Sequence, residues 1–122
     1  MKDGKGLVKE YWDNGNLKFE GEYLNGKRNG KGKEYYYNGK LKFEGEYLNG
    51  KRKKGKEHYP KYVLRFEGDY LNDKEWIGIR YDRNGNIKYK LTNNINGKGK
   101  EYDEDGKLIY EGKFILGFRI QQ

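Results

Sequence analysis

Glu20 and Glu22 stand two residues apart, and Glu44 and Glu46 repeat the spacing. On a strand this spacing puts both carboxylates on one face, so the pairs invite comparison with the acid and base of a glycoside hydrolase. The pairs recur with the sequence repeat, however, and lie among Lys18 and Lys42. That composition describes a solvated face of cross-strand ion pairs. His58 is the single histidine, and the chain has neither cysteine nor serine. No metal-ligand set and no Ser- or Cys-based nucleophile can be assembled from these residues, and His58 reads as an ordinary strand residue. Gly30-Lys31-Gly32 lacks the Gly-Lys-Ser/Thr element and following helix of a phosphate loop. The sequence therefore implies no catalytic residue, no metal and no cofactor, and its chemistry is that of a binding surface.

Two sets of residues are candidates for that surface, and both depend on how the chain is folded around them. Tyr11, Asn14-Gly15, Phe19-Glu20-Gly21-Glu22-Tyr23 and Asn25-Gly26 recur 24 residues later as Tyr35, Asn38-Gly39, Phe43-Glu44-Gly45-Glu46-Tyr47 and Asn49-Gly50. A fixed period of this length marks a repeat architecture. Five units follow, at about 6–29, 30–53, 54–75, 76–96 and 97–120, within a single domain. Short aromatic runs between Gly-rich punctuation read as β-hairpins. At Asp82-Arg83-Asn84-Gly85 and Asp103-Glu104-Asp105-Gly106, Asp first and Gly fourth suit a type I turn with a left-handed Gly. The rival is a two-residue type I′ turn.

The bulged turn sets Tyr35 opposite Leu41 and Lys33 opposite Phe43. Alternation then collects Tyr11, Phe19 and Tyr23 from the first unit on one face with Tyr35, Phe43 and Tyr47 from the second. The same rule adds Phe66 and Tyr70, Tyr81 and Tyr89, and Tyr102 and Tyr110. Because a single layer leaves its apolar face uncovered, this face is expected to remain a groove of partly exposed rings that takes a partner. The other candidate is a basic rim in the inter-repeat turns: Lys27, Arg28, Lys31, Lys51, Arg52, Lys53, Lys54, Lys56 and Lys98. Solubility and edge protection are the plainer use of such a rim. The third unit reads as one residue short at its turn, where Pro60 and Tyr62 replace Asn-Gly. The fourth has lost Glu-Gly-Glu-Tyr. The fifth ends on an apolar alternation, Phe114, Leu116, Phe118 and Ile120, which is expected to be a terminal strand that needs cover from a homodimer or a protein partner.

Composition is consistent with this reading. Charged residues are 38% and hydrophobic residues 33%, a polarity that often means disorder, yet aromatics reach 16% and recur at fixed positions. Lys plus Arg is 27 against 19 Asp plus Glu, a net charge of +8 that favours anionic partners through attraction screened by salt. The first residues show no apolar core of a signal peptide, and no run approaches the length of a membrane span. The expectation is a soluble, cytoplasmic protein.

Phe19-Glu20-Gly21-Glu22-Tyr23-Leu24-Asn25-Gly26-Lys27-Arg28-Asn29-Gly30-Lys31-Gly32 follows the pattern aromatic-x-Gly-x-aromatic-x-x-Gly-x-x-x-Gly-x-Gly. In this the chain resembles the MORN (membrane occupation and recognition nexus) repeats, in the form with a preceding Tyr-x-x-Asn-Gly-x-Leu found in bacterial and protist members. It departs at Val8, where the second Gly of the first junction should be. It departs again at Lys54 and Lys56 in the second junction, and at Trp76 before Gly78. The resemblance implies an all-β fold, an elongated, twisted, single-layer antiparallel meander with two strands per repeat. It also implies a non-enzymatic scaffold that binds protein. Attachment to acidic phospholipid through the basic rim is the alternative. A small antitoxin-like or nucleic-acid-binding protein is a more distant one, since acidic residues interrupt the Tyr and Lys that would serve nucleic acid.

Overall fold

The computed structural model describes residues 4–61, 63–93, 98–115 and 118–119. The chain forms one antiparallel meander in which every strand pairs with its sequence neighbours. The strands are β1 (Lys5–Tyr11), β2 (Leu17–Leu24), β3 (Lys27–Tyr35), β4 (Leu41–Leu48), β5 (Lys51–His58) and β6 (Leu64–Leu71). They continue as β7 (Lys74–Tyr81), β8 (Ile87–Asn93), β9 (Lys98–Tyr102), β10 (Leu108–Ile115) and a short β11 (Phe118–Arg119). The expected all-β repeat of hairpins is what the chain adopts, and the described residues contain no helix.

Two turn chemistries alternate along the ribbon. Within hairpins, Gly15 N–H donates to the Trp12 carbonyl at 3.0 Å and Trp12 N–H to Asn16 at 2.8 Å. Gly15 has φ +89°, and Asn14 does not share its positive φ. This is the type I turn with a left-handed glycine, as expected. Between hairpins, Asn25-Gly26 and Asn49-Gly50 both have positive φ at each residue, the type I′ signature.

The bulged turn is correct, but the side-chain faces inferred from it are not. A second bulge follows each turn at once. Tyr35 does oppose Leu41, yet the next pair is Glu34 with Phe43, so Lys42 is an extra residue. Lys33 opposes Glu44, not Phe43. The slip of one residue moves the end of each odd strand to the other face. Tyr11, Tyr35, Tyr81 and Tyr102 therefore lie on the face opposite Phe19, Phe43, Phe66 and Tyr89, and Glu10, Glu34, Glu57, Arg80 and Glu101 take their places. The Tyr35 hydroxyl confirms this by donating to Glu20, on the charged face, at 2.8 Å.

Two further corrections concern length. The turn of the third unit is complete, with Tyr59 N–H bonded to the Val63 carbonyl as Tyr36 is to Lys40, and Pro60 sits within it. The missing residue is in β5, where Gly55 pairs with Gly45 and takes the place held by Gly32 in β3. Lys54 and Lys56 thus do not replace the glycines but flank one. At the other end, the expected single terminal strand is replaced by two paired ones, with Phe114 opposite Arg119 and Ile115 opposite Phe118. Leu116 and Ile120 lie outside the described residues.

Candidate functional site

The aromatic face is a closed core. Phe19, Phe43 and Phe66 are each 0% exposed, and Tyr47 and Tyr70 are buried beside them. The rings interlock edge to face in an unbroken zigzag: Phe19–Tyr23, Phe19–Tyr47, Phe43–Tyr47, Phe43–Tyr70 and Phe66–Tyr70, with centroids 5.3–5.9 Å apart. Such pairs contribute about 0.5–1.5 kcal/mol beyond the area they bury. Each ring can lie down against the sheet because the cross-strand row beneath it is glycine. A Cβ at Gly32 would come within 2.8 Å of Phe19 and 2.9 Å of Tyr47.

The lid over the rings is ionic. The Arg28 guanidinium carbon lies 4.1 Å from the Phe19 centroid, and that of Arg52 lies 4.4 Å from Phe43. These cations alternate with carboxylates in one row. Arg28 contacts Glu10 at 3.3 Å and Glu34 at 3.9 Å; Arg52 contacts Glu34 and Glu57, each at 2.9 Å. Each carboxylate also accepts a tyrosine hydroxyl: Tyr23 to Glu10 at 2.6 Å, Tyr47 to Glu34 at 2.5 Å and Tyr70 to Glu57 at 3.0 Å. Burial and the adjacent Glu34 or Glu57 raise the Tyr47 and Tyr70 hydroxyls far above the ordinary tyrosine value, so both remain donors. Burial alone would raise Glu34, but the hydrogen bond and charge of Arg52, with Tyr47 and Arg28, hold its carboxyl below the usual range. In the next hairpin the signs are exchanged. Glu75 stands in place of Arg52 and Arg80 in place of Glu57, still paired with each other. Burial raises the Glu75 carboxyl, and nearby Glu57 adds to this while Arg80 and Arg65 oppose it.

The expected groove of exposed rings is therefore overturned. Tyrosines lean over the phenylalanines, and arginines cover what is left. This row was hidden in the sequence because Tyr11, Tyr35 and Tyr102 draw attention from the glutamate that precedes each of them. The recurrence of Glu10-Tyr11 as Glu34-Tyr35 at the repeat period, and again as Glu101-Tyr102 in the fifth unit, was the available signal.

The basic rim divides three ways. Arg28 and Arg52 turn into the aromatic face. Lys31, Lys54 and Lys56 lie on the charged face, where Lys54 pairs with Glu46 at 3.3 Å and Lys56 with Glu67 at 3.4 Å. Lys27, Lys51 and Lys53 remain exposed along the edge, joined by Lys74. Lys98 opens β9 and is exposed. The Glu20/Glu22 and Glu44/Glu46 pairs lie among these lysines on the charged face, with Lys31 opposite Glu46 and Lys33 opposite Glu44.

The opposite edge carries an aromatic ladder. Trp12 Nε1 donates to the Tyr35 carbonyl at 3.1 Å, the Tyr36 hydroxyl to the His58 carbonyl at 2.6 Å, and the Tyr59 hydroxyl to the Tyr81 carbonyl at 2.9 Å. Each bond ties one hairpin to the next. At Asp82 the ladder stops, and that carboxylate instead accepts Asn84 and Asn86 N–H within its own turn.

Ring over glycine and tyrosine over ring recur in register across the first three hairpins, and a left-handed glycine punctuates the turns of the first, second, fourth and fifth. The family model for a MORN repeat variant matches residues 5–25, 28–49 and 95–115, a little more than half of the chain. The chain belongs to the MORN repeat family. The two hairpins between the matched segments, β5–β6 and β7–β8, continue the same meander in the same register. A comparison with curated proteins found no match. MORN repeats are associated with protein or membrane interaction and are a non-enzymatic repeat type.

With the aromatic face closed, the two most exposed large apolar side chains of this MORN array among the described residues are on its first strand, while Tyr37, Leu48, Leu71, Leu108 and Ile109 are exposed elsewhere along it. Leu7 is 85% exposed and Tyr11 59%, both on the charged face of β1. Beside them a groove of about 530 Å³ runs across the first two hairpins. Its floor is Val8, Gly21, Gly32 and Gly45, and its walls are Leu7, Lys9, Lys31, Lys33, Glu20, Glu44 and Glu46. Among the described residues, the ammonium groups of Lys9, Lys31 and Lys33 make no ion pair. Among the described residues, no helix is long and apolar enough to cross a membrane.

Proposed function

We propose that this chain is a non-catalytic protein-binding scaffold that engages its partner through β1 and the adjoining groove, and not through its aromatic face. The observation that supports this is the exposure of Leu7 and Tyr11 on a strand whose outer edge pairs with nothing among the described residues. Unpaired strand edges accept an added strand, with backbone hydrogen bonds giving affinity and flanking side chains giving selectivity. A groove of this volume falls within the range of about 300–1,000 Å³ typical of ligand sites. The test is photo-crosslinking in cells from a probe placed at Leu7, at Tyr11 or, as a control, at Tyr37. The expected result is one protein adduct shared by the first two positions and lost when Leu7 and Tyr11 are both replaced by Lys. Adducts at Tyr37 alone would contradict the reading.

A second reading follows from Lys27, Lys51, Lys53 and Lys74, which are exposed along one edge and make no ion pair among the described residues. Such an edge suits an acidic bilayer, at about 1 kcal/mol per lysine near the surface. Flotation with phosphatidylserine vesicles at low salt, abolished by replacing all four with Glu, would support it. Protein that ignores those vesicles would end it.

A further inference from the structure

Each odd-numbered strand from β3 to β7 carries a glycine on which a ring of the preceding hairpin rests. An ideal Cβ would come within 2.8 Å of Phe19 at Gly32, within 2.8 Å of Phe43 at Gly55 and within 2.9 Å of Phe66 at Gly78. At all three a ring arrives from the N-terminal side; at Gly32 Tyr47 also comes to 2.9 Å from the C-terminal side, and at Gly55 and Gly78 a backbone oxygen of the preceding strand lies nearer still. In β1 the same register position is not glycine. Val8 pairs with Gly21 as Gly32 pairs with Gly45. Val8 is tolerated because no ring arrives from that side among the described residues. A second difference lies four residues earlier. Gly4 holds the place of Arg28, whose guanidinium covers Phe19. A ring arriving at β1 would therefore meet a branched side chain beneath it and no cation above it.

We infer that Val8 makes the outer edge of β1 selective: it bars a further hairpin of this chain's own repeat, from the same chain or a second copy, and leaves the edge to a partner's strand that brings no ring over Val8. An unpaired edge flanked by near-identical hairpins is otherwise an invitation to head-to-tail assembly. Contacts of that kind are heterologous and extend into open filaments wherever the rotation does not close a ring. A single branched residue in the glycine row removes the site for the incoming ring while leaving the backbone edge intact for a different partner. The selectivity presupposes the docking edge proposed above, but its test does not use that partner.

The experiment lengthens the full chain by joining a copy of residues 27–50 directly before Asp3, which preserves the 24-residue phase of the repeat. The extended chain is made with Val8, with Val8→Ala and with Val8→Gly. Hydrogen exchange is followed at the amides of the added second strand that face β1. With Val8 and with Val8→Ala these amides exchange without protection, since a Cβ alone meets the ring. With Val8→Gly they slow by at least about tenfold as the hairpin docks. Equal protection in the Val8 chain would overturn the selectivity, and absence of protection in the Val8→Gly chain would overturn Val8 as its cause. Either failure leaves the docking edge itself standing or falling on the crosslinks at Leu7 and Tyr11.

Discussion

The first three hairpins and the last two share a backbone but not a core. From β1 to β6, phenylalanine on glycine recurs without a break, Arg28 and Arg52 cover the rings, and the aromatic ladder of Trp12, Tyr36 and Tyr59 ties the far edge. From β7 on, Tyr89 replaces phenylalanine and Leu91 enters the glycine row. The two pack as a small cluster of their own, with Tyr110 against them. Turn register survives the change, since Asp82 and Asp103 hold their turns by accepting backbone N–H groups locally. The difference teaches that the period is carried by turns, whereas continuity of the core needs both the ring and the glycine beneath it.

The largest effect separating the regions should come from Phe43. Phe43→Ala removes a ring in contact with both neighbouring tyrosines and should cost about 3–5 kcal/mol in denaturant titration. Tyr89→Ala, in the smaller cluster, should cost clearly less. Equal losses would remove the distinction.

Arg52→Met comes next. It leaves Glu34 with Arg28 at 3.9 Å and Glu57 with Arg65 at 3.4 Å, without the cation that joins the two carboxylates over the rings. A fully buried pair loses about 3–5 kcal/mol when one partner goes; slight solvent access here should bring the loss to about 2–3 kcal/mol. The exchanged pair sharpens the point. Glu75→Arg and Arg80→Glu should each destabilise, while the double exchange should recover most of the loss, with a coupling within the range of about 0.5–3 kcal/mol for contacting residues. Additive losses would show that the pair does not act as one unit.

How much of this was legible without coordinates depended on which residues the pattern recorded. The hairpins, their bulged turns and the family were readable, because Asn-Gly, Asp-x-x-Gly and the 24-residue phase are local signals. The second bulge at Lys18, Lys42 and Arg65 was not. It has no residue signature, and it turns the end of each odd strand to the other face. Tyr35 was thereby credited to the core, where Glu34 lies instead. Arg28 and Arg52 were misplaced for a related reason: cations beside a turn read as a rim unless the ring they cover and the carboxylates they meet are known to lie on the same face. Val8 was visible as a departure, but its meaning required the distance from Gly32 to the Phe19 ring.

A smaller effect is pH. Glu34 is held below its unfolded value of about 4.3, so its contribution to stability is fully present above that value and is lost as pH falls through the folded value. Glu75 is shifted upward, so its ionisation opposes folding at neutral pH and that opposition is relieved as pH falls toward the unfolded value. On acidification toward pH 4, amides of β7 should keep or gain protection. Below pH 4, protection in β3 and β4 should fall first. Loss of protection in β7 ahead of β3 would contradict these signs.

The most direct test of the contrast between the two regions is native-state hydrogen exchange at neutral pH, strand by strand. A continuous core in β2–β6 and a separate small cluster in β8–β10 predict that amides around Phe43 and Phe66 exchange as one slow group. Amides around Tyr89 and Tyr110 should exchange about tenfold or more faster, a gap of roughly 1.4 kcal/mol. Uniform protection from β2 to β10 would show one cooperative core throughout and would contradict the account.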